Sequence, residues 1–150
     1  MSDHLQMPAL IPAMSVSDPR ATLAWFEKLG FQTVMTMPMP DGTIVHAHVA
    51  RGAAHLMLGP VCEQSGMGIG AASMGLYISV PESVDELCDR ARQSGVAVTQ
   101  EPRDQFWGDR TFEVQHPDGY RITFYNHVRD VSPEEMKQAM EQWAAAASPA

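Results

Sequence analysis

Trp107-Gly108-Asp109-Arg110-Thr111-Phe112-Glu113-Val114-Gln115-His116-Pro117-Asp118-Gly119-Tyr120-Arg121-Ile122-Thr123-Phe124-Tyr125 reads as two strands joined at a Pro-Asp-Gly turn. Proline presets φ for the first turn position, and Gly119 supplies the positive φ that an L-residue resists. The flanking runs, residues 111–115 and 120–125, are rich in aromatic and β-branched side chains, as paired strands are.

Working outward, the hairpin proves to be the end of a repeated unit. Ser83 and Glu86 form a capping box ahead of a helix over residues 84–93, and Gly95 leads into an extended run at 96–99. Asp18 and Pro19 start an equivalent helix over residues 21–29, which Gly30 ends before the extended run 31–34. Short strands precede each helix at 10–16 and 76–80, and hairpins follow at 43–58 and 111–125. Two β-α-β-β-β modules result, module one over about 9–60 and module two over 75–128. The segment between them, 61–74, is rich in Gly, Ser and Met and reads as a linker. A third helix, 132–146, is capped by Ser132 with Pro133 and Glu135 behind it. Its stripe of Met136, Met140 and Trp143 serves either packing on its own domain or a contact with a second copy.

Composition narrows the partners. Across 150 residues, 45% hydrophobic and 19% charged content are ordinary for a globular domain large enough to bury a core. A formal net charge of −8 with 10 Lys+Arg argues against nucleic acid, whose phosphates demand massed cations. No apolar run reaches membrane-spanning length, and residues 1–7 lack the charged-then-apolar pattern of a signal peptide, so the expected address is the cytoplasm. Cys62 and Cys88 make neither a disulfide framework nor a metal cluster. Gly66-Met67-Gly68-Ile69-Gly70 lacks the strand, helix and Lys-Ser/Thr of a phosphate loop.

The repeat, with Val16-Ser17-Asp18 before the first helix, Phe106-Trp107-Gly108-Asp109-Arg110 and Pro117-Asp118-Gly119-Tyr120, resembles the vicinal oxygen chelate superfamily of glyoxalase I, extradiol dioxygenases and bleomycin-resistance proteins. Within it, the Trp-Gly-Asp-Arg run, His46-Ala47 and the tail from Asp130 to Met136 look like a phosphonate-operon-linked branch of loosely assigned function. The resemblance implies an α+β fold of two βαβββ modules, curled into a half-open barrel around a central pocket, and a homodimer. It also implies where four side chains would grip a divalent ion. Those positions fall on Ile11, Met57, Gly75 and Thr123. Isoleucine and glycine offer no donor, a thioether suits Cu(I), and a neutral hydroxyl binds weakly. The resemblance therefore carries no cofactor over, although a displaced divalent metal remains open.

Alternation shows what lines the pocket instead. A two-residue turn at Arg51-Gly52 sets His48 opposite His55 and His46 opposite Met57. Ile44, His46, His48, His55 and Met57 then share one face, while Val45, Ala47, Val49, Ala54, Leu56 and Leu58 form an apolar face for a helix. Three readings of the histidines stay open: hydrogen bonding to one another or water, ligand contact, and a displaced metal site. Arg121, Thr123 and Tyr125 share the parity of the lost ligand position and point inward. Arg121 either grips an anionic or carbonyl group or snorkels to the rim. Phe106 and Trp107 either anchor the core or stack on a planar ligand, and Arg110 either orients its loop through Asp104 or Asp109 or touches the ligand. Met35, Met37 and Met39 alternate along one strand face, as an adaptable apolar wall would.

The expected function is metal-independent binding of a small aromatic or polar compound, with His46, His48, His55, Met57, Trp107, Arg121, Thr123 and Tyr125 as contacts. The alternative is a lyase, isomerase or dioxygenase using His46, His48 or His55 as general base or displaced metal ligand.

Overall fold

Asp18 caps the first helix by accepting the Ala21 N–H at 3.0 Å, and Pro19 occupies the first helical position, where no N–H is needed. In the computed structural model, which describes residues 7–61 and 74–147, this helix α1 (Pro19–Lys28) buries Thr22, Leu23, Trp25 and Phe26. It follows β1 (Ala13–Val16) and leads to β2 (Gln32–Pro38), β3 (Ile44–Arg51) and β4 (Ala54–Pro60). Module two repeats the order with β5 (Leu76–Ser79), α2 (Val84–Gln93), β6 (Ala97–Asp104), β7 (Asp109–Gln115) and β8 (Arg121–His127), followed by α3 (Pro133–Ala147). Ser83 caps α2 through the Asp85 N–H.

Each module forms one four-stranded sheet, ordered β1-β4-β3-β2 and β5-β8-β7-β6. The first pair in each is parallel and the rest antiparallel. This is the expected α+β architecture of two βαβββ modules with a C-terminal helix, and the two sheets do not close into a barrel. The core lies between each helix and its own sheet. Phe26, Ala47, Val49, Leu56 and Leu58 are buried in module one, and Leu87, Phe112, Val114, Ile122 and Phe124 in module two.

The modules interlock by reciprocal turns. The β7–β8 turn sits on the β1–α1 junction, where the Asp118 carboxylate accepts from Ser17 N and Oγ at 2.9 and 2.7 Å, and Tyr120 OH donates to the Ser15 carbonyl at 2.7 Å. At the other end the β3–β4 turn sits on module two. There Arg51 donates to the Leu29 carbonyl and is ion-paired with Glu82, which also holds Arg90 at 2.6 Å.

Several expectations need correction. The β3–β4 turn is Gly52-Ala53, so Ala50 faces His55 and His48 faces Met57. A slip of two residues preserves side-chain parity, and the face assignment survives it. Ile44 is buried rather than open to the pocket, because the β2–β3 register shifts between Met37 and Pro38. Val45 is exposed, lying near the outer end of the strand. The α3 stripe is not packed down: no α3 residue is buried, and Trp143 is 61% exposed. The residues expected as linker fall largely outside the described ones, Gly66–Gly70 included.

Candidate functional site

The faces turned away from α1 and α2 carry the chemistry. On sheet one, Met35, His48 and Met57 are neighbours in one row across β2, β3 and β4, with Met37 and His46 paired in the next row. His48 is 3% exposed, and its Nε2 lies 2.9 Å from Nδ1 of His55, the rings meeting at 67°. Burial, then the neighbouring His55 and His46, hold the His48 imidazole below its usual pKa, so it is neutral at pH 7. His46, His55 and Met57 are half-buried.

On sheet two, Tyr77 of β5 stacks on Tyr125 of β8 with centroids 4.4 Å apart and planes 23° from parallel. The Tyr77 ring is 47% exposed, but its hydroxyl is held: it donates to Asp109 Oδ2 at 2.6 Å and accepts from Trp107 Nε1 at 3.0 Å. Burial of the hydroxyl and that bond to Asp109 push the phenol up to about 12, leaving it a neutral donor. Asp109 also pairs with His127 Nδ1 at 2.9 Å, and His127 Nε2 reaches Asp130 at 2.7 Å. Burial raises the Asp109 pKa, but the bonds from Tyr77 and His127 outweigh it and keep the carboxylate ionised. The two carboxylates raise the His127 pKa. Thr123 lies beside Tyr77 in the parallel register.

These two walls meet. His55 of sheet one and Tyr77 of sheet two line one cleft of about 200 Å³. A larger cleft of about 570 Å³ adjoins Tyr77 and Ser79 on one side and the β3–β4 turn on the other. Other candidates sit elsewhere. Arg121 is at the rim, 3.9 Å from Glu113. Arg110 is on the helix side, held by Asp85 at 2.8 Å and Asp104 at 3.1 Å, and Asp109 beside it faces the other way. Phe106 meets Trp107 edge to face at 4.9 Å. Tyr77 and His127 are not singled out by motif, and Asp109 appears in one only as a fold signature and a candidate partner of Arg110. Their signal is parity, since His127 continues the alternation of Thr123 and Tyr125, and Asp109 that of Thr111 and Glu113.

Residues 3–124 match the profile of the Glyoxalase/Bleomycin resistance protein/Dioxygenase superfamily. The chain belongs to this superfamily. An uncharacterized protein of Mycobacterium bovis is 30% identical over 142 residues, covering 89% of this chain and 92% of that one. TioX from Micromonospora sp. ML1 aligns over 81% of this chain and 99% of its own, with a TM-score of 0.67 and 23% identity. A glyoxalase/bleomycin resistance protein from Streptomyces sp. CB03234 aligns over 77% of this chain and 97% of its own, with a TM-score of 0.59 and 29% identity.

The superfamily's divalent-ion positions do not fit an ion here. Ile11 and Gly75 precede their strands, and the residues beside Met57 and Thr123 in the parallel register are Ala13 and Tyr77. Alanine, methionine, threonine and a neutral phenol present no imidazole or carboxylate. Among the described residues, no group of three or more His, Cys, Asp or Glu side chains is placed to hold a metal ion, the trio His46, His48 and His55 included.

Proposed function

We propose that this superfamily member binds a small planar aromatic compound by enclosure, without a divalent metal. The observation that carries the reading is the Tyr77–Tyr125 stack, anchored by Asp109 and Trp107, whose Tyr77 ring lines the same cleft as His55. Aromatic faces supply offset-stacking surface, and the thioethers of Met35, Met37 and Met57 supply a wall that adapts in shape. Clefts of about 570 and 200 Å³ are of the size that takes a drug-like molecule or a part of one. The Streptomyces relative is a glyoxalase/bleomycin resistance protein, a description compatible with a resistance-type binder. The Trp-Gly-Asp-Arg run and the tail from Asp130 support placement in the phosphonate-operon-linked branch. Exposed Met140 and Trp143 on α3 support a homodimer, which sedimentation would test directly.

The test is quenching of tryptophan fluorescence in EDTA-treated protein. The probes are metal-free bleomycin, a naphthoic acid and a quinoline carboxylate. Saturable quenching that Tyr125→Ala abolishes supports the reading. Absence of binding across the panel, or binding indifferent to both Tyr125→Ala and Trp107→Leu, overturns it. A second reading is general-base catalysis, favoured by one observation: His48 is neutral, buried and bonded to His55. Turnover of a bound probe that disappears in His48→Gln would install it.

A further inference from the structure

From the row Met35–His48–Met57 and the imidazole pair His48–His55, we infer a binding site for a soft monovalent ion, Cu(I), on the pocket face of sheet one. Ladder partners on one sheet face have Cβ atoms about 4.5–5.5 Å apart, so two thioethers flank the His48 ring from either side. Each thioether swings on three rotatable bonds, which lets its sulfur approach an ion at the imidazole nitrogens without backbone movement. The two ring nitrogens already converge at 2.9 Å. Ligands on a tetrahedral ion with bonds of about 2.0–2.1 Å stand about 3.3 Å apart, so a small tilt of both rings admits it. The imidazole that donates in the pair shifts its proton to its other nitrogen, and the neutral pair releases no net proton on binding.

Donor type selects the ion. Strands β1 to β4 contain no Asp, Glu or Cys, so every donor on this face is neutral. A divalent cation held only by neutral groups retains its whole double charge in a half-buried place, which carboxylates or thiolates normally offset. A monovalent ion leaves half that charge, and thioether sulfur prefers Cu(I) over Zn²⁺ or Ni²⁺. Met35 is exposed, so the ion enters from its side, while buried His48 forms the floor. Met37 and His46 in the adjoining row stand at the rim.

The proposed aromatic site shares Met35 and Met57 with this one but draws its stacking surface from sheet two, so the two are separated by their probes. The experiment uses the full chain without a His tag, in a Cys62→Ser background so that this thiol does not capture copper. Anaerobic Cu(I) is competed against bicinchoninate, native mass spectrometry reads stoichiometry, and Ag(I) serves as the redox-inert probe for methyl-labelled methionine NMR. The expected result is one equivalent bound, with Ag(I) shifting the methyl signals of Met35 and Met57 but not those of Met136 and Met140. Met35→Leu and Met57→Leu, which conserve volume, should each weaken binding roughly tenfold or more, since losing even a supporting hydrogen bond to a metal ligand costs about 10–100-fold. Failure to compete with bicinchoninate overturns the site. So does unchanged affinity in both leucine variants, or an equal loss in Met140→Leu. Retained quenching by an aromatic probe alongside absent Cu(I) binding removes this site and leaves the ligand reading standing.

Discussion

Lowering the pH from 7.5 to 5.5 should destabilise the fold, with His116 and His48 responsible. His116 is 4% exposed between α1 and the β7–β8 turn, edge-on to Trp25 at 5.0 Å. Its Nδ1 accepts the Asp118 N–H at 3.1 Å, which puts its proton on Nε2, where it donates to Thr22 Oγ1 at 3.0 Å. The neutral ring is therefore fully used, and a second proton would land on Nδ1 facing a backbone donor. Burial lowers the His116 pKa, and the Asp118 carboxylate offsets this in part. An unfolded imidazole protonates near 6.5, so between that value and the lower folded pKa the unfolded chain binds more protons. For these two groups stability is accordingly flat above 6.5 and falls below it, by at most about 1.4 kcal/mol per pH unit for each group. His48, lowered mainly by burial, is the second. A domain of this size holds about 5–15 kcal/mol in all, so the loss is easily read. His127 has the opposite sign. Its pKa is raised, its contribution is complete below 6.5, and that contribution is lost as pH rises through the folded value. The carboxylates of Glu82, Asp85 and Asp109 are lowered and stay ionised across this window. The assay is urea unfolding at four pH values between 7.5 and 5.5 for the native sequence and His116→Gln, whose amide keeps a donor toward Thr22. The variant should show a shallower slope, by at most about 1.4 kcal/mol per unit. A native curve flat down to pH 5.5, or identical slopes in the two proteins, refutes the reasoning.

Gly108→Ala should lower stability by about 3 kcal/mol or more, because Gly108 sits at φ +100° and a Cβ there overlaps the Arg129 carbonyl; the urea midpoint measures it. Arg51→Leu should remove about 1–3 kcal/mol by leaving the Leu29 carbonyl and Glu82 short of a donor. A double-mutant cycle with Glu82→Gln should return a coupling above about 0.5 kcal/mol. Removing residues 133–150 should shift the melting temperature by less than about 4 °C, since α3 buries no side chain, and a calorimetric scan at low protein concentration checks it.

The sequence reveals the elements because their ends are written in local chemistry: Asp18-Pro19 and Ser83 at helix starts, glycines at +85° and +83° after them, and Gly119 in the hairpin. It also carries the face assignment, since parity is insensitive to a slip of two. The β3–β4 turn is misplaced by one residue in the sequence reading, at Arg51-Gly52 instead of Gly52-Ala53. Gly52 has φ +57° and no non-glycine residue among those described has positive φ, so glycine takes the first central position of the turn, as type II′ requires. The Tyr77–Asp109–His127 network was not legible, because it joins β5, β7 and β8, and only the strand order brings them side by side. Nor could periodicity show that the α3 stripe stays open, because a helix with one apolar face has the same pattern whether the cover is its own domain or another chain.

The two halves share a topology and not a chemistry, and this difference governs how a ligand would lie. In a site that grips one divalent ion, both modules must offer matching donors, so their walls are tied to each other. Here Met57 and Thr123 stand at corresponding positions with Ala13 and Tyr77 beside them, and no shared ion binds the walls to one pattern. The open face of sheet one is soft and neutral, with three histidines and the methionines Met35, Met37 and Met57, and its strands carry no acid. Sheet two keeps Asp109 ionised, flanked by Tyr77, Trp107 and the raised-pKa His127. A planar compound with one polar end, bound in the proposed site, would therefore be oriented, its polar end toward Tyr77 and Asp109 and its apolar edge toward sheet one. A relative that held the ion centrally would present the same substrate with more nearly equal fields on both sides. Exchanging Asp109 for Asn should accordingly change which end of an asymmetric probe quenches Trp107, whereas exchanging Met57 for Leu should alter affinity and leave that orientation as it was.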